Sequence, residues 1–214
     1  MPKNLVLASI LALAVAMPAA AAPAPTGVRI EGRGGFERIT LSARYNDGLE
    51  QWSGRSSENG ISYGGEIGYD LAASDNVSFG PYVGLDFSDT EYCSEVYGLD
   101  RACLSAGRSV TAGLRIAAPV SDNVTIYAKG GYANGRLKFR YDDFENILED
   151  YRIVANRGGF HAGLGTEIAL ARNVYAKAEY VYTNYKVERF VDGEESGTLD
   201  GRRQQLVVGM GLRF

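Results

Sequence analysis

Histidine and tryptophan occur once each in this 214-residue chain, cysteine twice and proline six times. One histidine and two cysteines leave little material for a metal centre, which needs such ligands in clusters. Charge of one sign is missing as well. Lysine and arginine number 22 against 26 aspartates and glutamates, a formal net charge of -4. A general nucleic-acid binder needs a concentrated basic surface, so nucleic acid is excluded as a partner. A mean hydropathy of -0.16 rules out a bundle of transmembrane helices. What abounds is glycine, with 27 residues, and tyrosine, with 14. That pairing suits β-structure with close packing and frequent turns. The length allows one domain, or two small ones, with ample apolar surface for a core.

Residues 1–21 read as a secretory signal. Lys3 supplies the charged start, and Leu5 to Met17 form an apolar run too short to span a bilayer. Pro18 breaks the run, and Ala19, Ala20 and Ala21 give the small-residue cleavage pattern. An uncleaved anchor is the alternative. Cleavage after Ala21 leaves residues 22–214 as one mature domain, exported by the Sec-type route into an oxidising compartment.

The mature chain repeats a short phrase. Ser74-Asp75-Asn76-Val77 recurs 47 residues later as Ser121-Asp122-Asn123-Val124, and a shortened form follows as Arg172-Asn173-Val174. Asparagine at these points suits tight turns, since it tolerates left-handed backbone and bonds its own chain. Each phrase joins two segments of period-two alternation, so the pattern predicts four hairpins and eight strands. Val28, Ile30, Gly32, Gly34 and Phe36 alternate with Arg29, Glu31, Arg33 and Glu37. Val174, Ala176, Ala178, Tyr180 and Tyr182 alternate with Tyr175, Lys177 and Glu179. The other six segments, near 61–71, 77–87, 110–116, 124–132, 160–170 and 205–214, follow the same rule. No charge falls on the apolar face of any of them.

Alternation alone does not say whether the apolar face points in or out. Three features turn it outward, toward lipid. Glycine recurs at mid-strand on the charged face, where the narrow interior of an eight-stranded barrel requires it beside Arg or Tyr. The apolar face carries aromatics near the strand ends (Phe36, Tyr63, Tyr69, Phe79, Phe87, Tyr132, Phe160, Tyr182 and Phe214), as interfacial girdles do. Connections alternate between short turns and long stretches near 38–60, 89–107, 135–158 and 184–203, the asymmetry of an outer-membrane barrel. The expected fold is therefore all-β: an eight-stranded antiparallel up-and-down transmembrane β-barrel with short periplasmic turns and long extracellular loops. Closure leaves no unpaired backbone in lipid, where each open group would cost several kcal/mol.

Turned inward, the charged face holds Arg29, Arg33, Arg115, Lys129, Lys177 and Arg213 against Glu31, Glu37, Glu66, Asp70, Asp86, Glu167 and Glu179. Unpaired buried charge is expensive, so these groups are expected to pair and plug the lumen; a gated ion path is the alternative. Cys93 and Cys103 share one exterior connection and should form a disulfide after export. His161 is turned into the lumen without the adjacent serine that some barrel lipases show, which reads as a hydrogen-bonded lumen histidine and not a catalyst. Among the connections, Asp142, Asp143, Glu145, Glu149 and Asp150 form an acidic, solvated run. Arg101, Arg108, Arg136, Lys138, Arg140, Arg202 and Arg203 lie near the outer ends, placed for lipopolysaccharide phosphates. Asn76-Val77-Ser78 and Asn123-Val124-Thr125 only mimic glycosylation acceptors, because both arise from the turn repeat.

The segments Val28-Arg29-Ile30-Glu31-Gly32-Arg33-Gly34-Gly35-Phe36, Tyr127-Ala128-Lys129-Gly130-Gly131-Tyr132, Glu179-Tyr180-Val181-Tyr182-Thr183 and the ending Gly209-Met210-Gly211-Leu212-Arg213-Phe214 carry a resemblance. Over essentially all of the mature chain it resembles the small eight-stranded outer-membrane barrels of Gram-negative bacteria, the OmpA-like and opacity-protein group. The resemblance implies a barrel without the peptidoglycan-binding domain that larger OmpA-type proteins append. It also implies that Gly209, Leu212 and Phe214 form a sorting signal for the barrel-assembly machinery, although Val207 stands where that signal usually has a polar residue. The expected function is that of a monomeric integral outer-membrane barrel with a structural or surface-interaction role, no cofactor and no catalysis. Its expected partners are outer-membrane lipid and lipopolysaccharide. A narrow porin-like channel is the first alternative, a lipid-modifying enzyme the second and a soluble ligand-binding barrel of lipocalin type the third.

Overall fold

The computed structural model describes residues 23–46, 50–96, 100–142, 151–192 and 195–214. The expected signal segment and the acidic residues Asp143, Glu145, Glu149 and Asp150 lie outside them. Period-two alternation dictates strands, and strands are what form: β1 (Gly27–Asn46), β2 (Gln51–Ser74), β3 (Val77–Ser88), β4 (Glu91–Val96), β5 (Asp100–Pro119), β6 (Val124–Asp142), β7 (Tyr151–Ala171), β8 (Val174–Asp192) and β9 (Glu195–Arg213). All pairings are antiparallel between neighbours in sequence, except that β1 pairs with β9 and β3 with β5, which closes the sheet into a ring. After Asp89 and Thr90, β4 continues the wall above β3 and also pairs with β5, so the ring has eight staves.

Closure reaches the last residue. The Val28 N–H donates to the Phe214 carbonyl at 3.2 Å, and the Phe214 N–H donates to the Val28 carbonyl at 3.0 Å. Gly27, with φ 107°, passes against that terminal carbonyl in backbone that L-residues avoid and in a space no Cβ fits. At the same end of the barrel, Asp75-Asn76 and Arg172-Asn173 form two-residue turns. Each follows a register slip, between Ala72 and Ser74 and between Ala169 and Ala171, where one extra residue tightens the twist into the turn.

The apolar face is outermost. Ile30, Phe36, Leu114, Leu164, Leu206, Val208 and Met210 are all exposed. The charged face is inside, with Arg29, Glu66, Asp70, Arg115 and Glu179 among the most buried residues of the barrel. Tyr63 and Phe87 stack with ring centroids 5.8 Å apart on the outer surface, at girdle height.

The difference from the expected pattern lies in the long outer connections. They are not open loops: most of 38–60, 89–107, 135–158 and 184–203 is strand that carries the barrel wall outward. β1 has 20 residues, roughly 66 Å at about 3.3 Å per residue. A tilted crossing uses only about 9–11 residues, so nearly half of β1 stands clear of the hydrocarbon. Along that strand the alternation keeps its phase while its polarity inverts. Outward positions run Val28, Ile30, Gly32, Gly34, Phe36 and then Arg38, Thr40, Ser42, Arg44; inward positions run Arg29, Glu31, Arg33, Gly35, Glu37 and then Ile39, Leu41, Ala43, Tyr45. β6 repeats the switch above Tyr132, with Arg136, Lys138 and Arg140 outward and Leu137, Phe139 and Tyr141 inward. Below the switch the wall faces lipid and is apolar outside; above it the wall faces water and is apolar inside, as in a soluble barrel.

Candidate functional site

The charged side chains inside the membrane-spanning half form one connected assembly. Arg33 pairs with Asp86 at 2.7 Å and with Glu66 at 2.7 Å. Lys129 joins Glu66 to Glu179, each contact 2.7 Å. Lys177 lies 2.8 Å from Glu179 and bonds Glu31 on its other side. Arg29 bonds Glu31 at 2.6 Å and Asp70 at 2.9 Å. Arg115 then ties Asp70 at 2.7 Å to Glu167 at 2.5 Å, and Arg213 spans the same two carboxylates at 3.2 and 2.9 Å. The chain of contacts therefore runs unbroken from Asp86 to Glu167, with six cations matched by six carboxylates. Full desolvation without such pairing would cost several kcal/mol per ion.

Two inward tyrosines, Tyr127 and Tyr175, belong to the assembly, and alternation alone did not single them out. Tyr127 donates to Glu179 at 2.8 Å and Tyr175 donates to Glu31 at 2.6 Å. The Arg115 guanidinium lies 4.3 Å from the Tyr127 ring centroid, and that of Arg213 lies 4.9 Å from the Tyr175 centroid. These rings cross the lumen because glycine stands opposite them: a Cβ on Gly165 would lie 2.5 Å from Tyr127 Cζ. The sequence signal for such pairs is a tyrosine on the charged face level with a glycine on the next strand, and the β6–β7 register brings Tyr127 opposite Gly165.

Glu37 does not join this assembly. It lies higher, where the Arg203 guanidinium donates to it at 2.7 Å through Nε, the Thr90 hydroxyl donates at 2.5 Å, and the Ser88 hydroxyl also donates. That placement corrects the reading of Arg203 as an outward group for lipopolysaccharide: Arg203 is buried inside the barrel. Between the two charged layers, Gln205 donates to the Ser62 hydroxyl at 3.1 Å. His161 is buried there with Nε2 hydrogen-bonded to the Tyr82 hydroxyl. The two rings meet edge to face, with centroids 5.8 Å apart.

Among the other expected outer residues, Arg101, Arg108, Lys138, Arg140 and Arg202 are exposed and Arg136 is half-buried. Arg202 pairs with Asp200 at 3.0 Å, and Arg136 donates to the Asn156 side chain at 3.4 Å. Cys93 and Cys103 are joined, an S–S bond that staples β4 to β5 where their register sets the two cysteines opposite each other. Glu91 lies close to both sulfurs, but sulfurs in a disulfide are not metal ligands. Gly209, Leu212 and Phe214 lie on the terminal strand, with Leu212 and Phe214 exposed on the outer face.

The family model described as "Outer membrane protein beta-barrel domain" matches residues 7–214. No curated protein matches the sequence. Among solved structures, the chain is similar to the outer membrane protease OmpT of Escherichia coli, with 10% identity, 92% of this chain and 99% of that chain covered, and a TM-score of 0.54. OprG of Pseudomonas aeruginosa shares 12% identity over 91% of this chain and 98% of its own, with a TM-score of 0.48. Ail, the attachment invasion locus protein of Yersinia pestis, shares 14% identity over 86% and 99%, with a TM-score of 0.45. At these identities the likeness concerns the fold.

Proposed function

The chain belongs to the outer membrane protein β-barrel domain family and is an integral protein of the outer membrane, and from that premise we propose that it works there as a closed, non-catalytic barrel that presents a rigid wall to the cell exterior. The observation that carries this reading is the balanced assembly of ion pairs between Asp86 and Glu167, which fills the axis with long side chains. An eight-stranded interior is just wide enough for side chains, so a fully paired set leaves no room for a hydrated ion. Function then falls to the outer surface. Above the aromatic girdle, Arg38, Arg136, Lys138, Arg140 and Arg202 point away from the barrel, at a height suited to lipopolysaccharide phosphates and to charge-assisted bonds with them.

On the same reading, residues 1–21 direct export and are removed, and the terminal strand with Gly209, Leu212 and Phe214 is handed to the barrel-assembly machinery. The folded barrel is a monomer. The direct test is electrical. Purified barrel in a planar bilayer should show no discrete conductance steps, and native extraction should bring lipopolysaccharide with it. Reproducible open states in the unmodified protein would replace this reading with that of a narrow channel.

A further inference from the structure

One pair of strands on the outer wall differs from its neighbours. Residues 132–141 of β6 and 151–160 of β7 include Arg136, Lys138, Arg140, Arg152 and Arg157 and no carboxylate. Arg157 has the inward phase, and the other four have the outward phase that Tyr132 and Phe160 share. Arg140 is engaged within the protein, and Arg136 commits its Nε to the Asn156 side chain at 3.4 Å. Lys138, Arg152 and the far end of the Arg136 guanidinium are thus the cationic groups that these adjoining strands turn outward. Arg136 stands four residues above Tyr132, about 13 Å along the strand. The three groups therefore lie just beyond the aromatic girdle, at the height of charged headgroups.

The same two strands are thin immediately below the girdle. Gly130 stands opposite Ala162, with Leu114 beside Gly130 and Tyr182 beside Ala162. Across four strands the row reads large, small, small, large. It forms a notch two strands wide, about 10 Å, roofed by Tyr132 and Phe160. The Tyr132 ring leans upward across Gly158, its hydroxyl standing where a Cβ would be. Below, the notch opens into a mostly apolar trough of about 690 Å³ whose lining includes Ile116, Ala128, Leu164 and Tyr180. Small outward residues also occur on β1 and β2, at Gly32, Gly34 and Gly65. Above those, however, Arg38 donates to Asn59, Arg55 donates to Ser42, and the Thr40 and Ser57 hydroxyls bond each other. Outward cations and a recess wide enough for acyl chains coincide on β6 and β7.

We propose that this face of β6 and β7 is a specific site for one lipid A, the membrane-embedded part of lipopolysaccharide. Its phosphates lie on Arg136, Lys138 and Arg152, and an acyl chain fills the notch over Gly130 and Ala162. Charge-assisted bonds to phosphate anchor the head, and the recess buries apolar area of the chain. A soluble polyanion would leave the notch bare, and a neutral lipid would leave the cations unused. This site rests on the reading of the outer cations as lipopolysaccharide contacts and confines that contact to one pair of strands.

The full barrel, freed of lipid in detergent, is titrated with hexa-acylated lipid A and followed by native mass spectrometry. One adduct that saturates at a single copy is expected. Arg136→Gln with Lys138→Gln and Arg152→Gln should weaken it at least tenfold in protein that keeps the folded gel shift. Arg38→Gln with Arg44→Gln and Arg55→Gln, the matching change on β1 and β2, should leave it unchanged. Gly130→Leu fills the notch, and the backbone has room for it, since a Cβ there meets the His161 carbonyl oxygen at an ordinary 3.5 Å. That variant should bind lipid A at least tenfold more weakly and the deacylated glucosamine disaccharide bisphosphate as the unmodified barrel does. Equal loss in the two triple variants would overturn the site while the broader lipopolysaccharide contact stands, whereas no adduct on the unmodified barrel would overturn both. Unaltered lipid A binding by Gly130→Leu, or equally tight binding of dioleoylphosphatidylglycerol, would also overturn the site.

Discussion

Arg203 reaches across the β1–β9 seam to Glu37, and both Nε and Nη2 of its guanidinium donate to the same carboxylate oxygen. Both residues are buried. This pair settles a mismatch in the charged face, where seven carboxylates otherwise stand against six cations. It also marks the border between the charged lower lumen and the apolar upper one.

Removing one partner of a buried ion pair strands the other, at a cost of about 3–5 kcal/mol. Arg203→Met should destabilise the barrel by that order in urea unfolding followed by the gel shift. Adding Glu37→Gln should recover most of the loss, because the stranded charge disappears. Equal stability of Arg203→Met and the unmodified barrel would mean that Glu37 finds water from above.

The inverted polarity of the wall makes a paired prediction. Leu164 is exposed at mid-span on the lipid face, and Leu164→Arg should cost about 2–4 kcal/mol. Ser42 has the same outward phase on β1 but lies above the girdle opposite Asp200, so Ser42→Arg should stay within about 0.5 kcal/mol. Refolding into lipid vesicles measures both. Similar costs at the two sites would place the hydrocarbon boundary elsewhere.

Strand number, ring order and the lipid-facing side are written in the period of the sequence, since parity fixes the face of every residue along a continuous strand. Two things were not legible. The first is the outer wall: Ile39, Leu41 and Leu137 keep the alternation going, but the inverted polarity hides it from a search for one apolar side. Following phase alone from Phe36 through Tyr45 would have extended β1. The second is partner choice. Lys129 bonds Glu66, 63 residues away, and such contacts depend on the relative register of strands that are not adjacent in sequence. The bulge at Gly107 and Arg108 adds to this, because one slipped residue exchanges the faces of everything above it.

The Cys93–Cys103 bond closes a hairpin with a sequence separation of 10. Loop-entropy arguments put its effect at roughly 3 kcal/mol or less. Among the described residues β4 pairs only with β5, so the effect should be local. Cys93→Ser with Cys103→Ser should expose the β4–β5 hairpin to limited proteolysis while the membrane-spanning fragment keeps its gel shift. Loss of the gel shift would show that the hairpin also supports the wall below.

Closure of the lumen is open to a test that does not leave charge unpaired. Lys129 and Glu179 bond each other at 2.7 Å near the middle of the assembly. Removing both keeps the count balanced: Glu66 retains Arg33 at 2.7 Å, and Lys177 retains Glu31. Lys129→Ala with Glu179→Ala therefore takes two side chains out of the axis while the remaining cations keep their partners, and the barrel should still fold. The space they leave is lined by charge and admits water. Planar-bilayer recordings should then show discrete cation or anion steps that the unmodified protein lacks. A silent double variant would move the constriction to the rings of Tyr82 and Tyr127, and single substitution of either ring with alanine in that background would then be the change that opens the path.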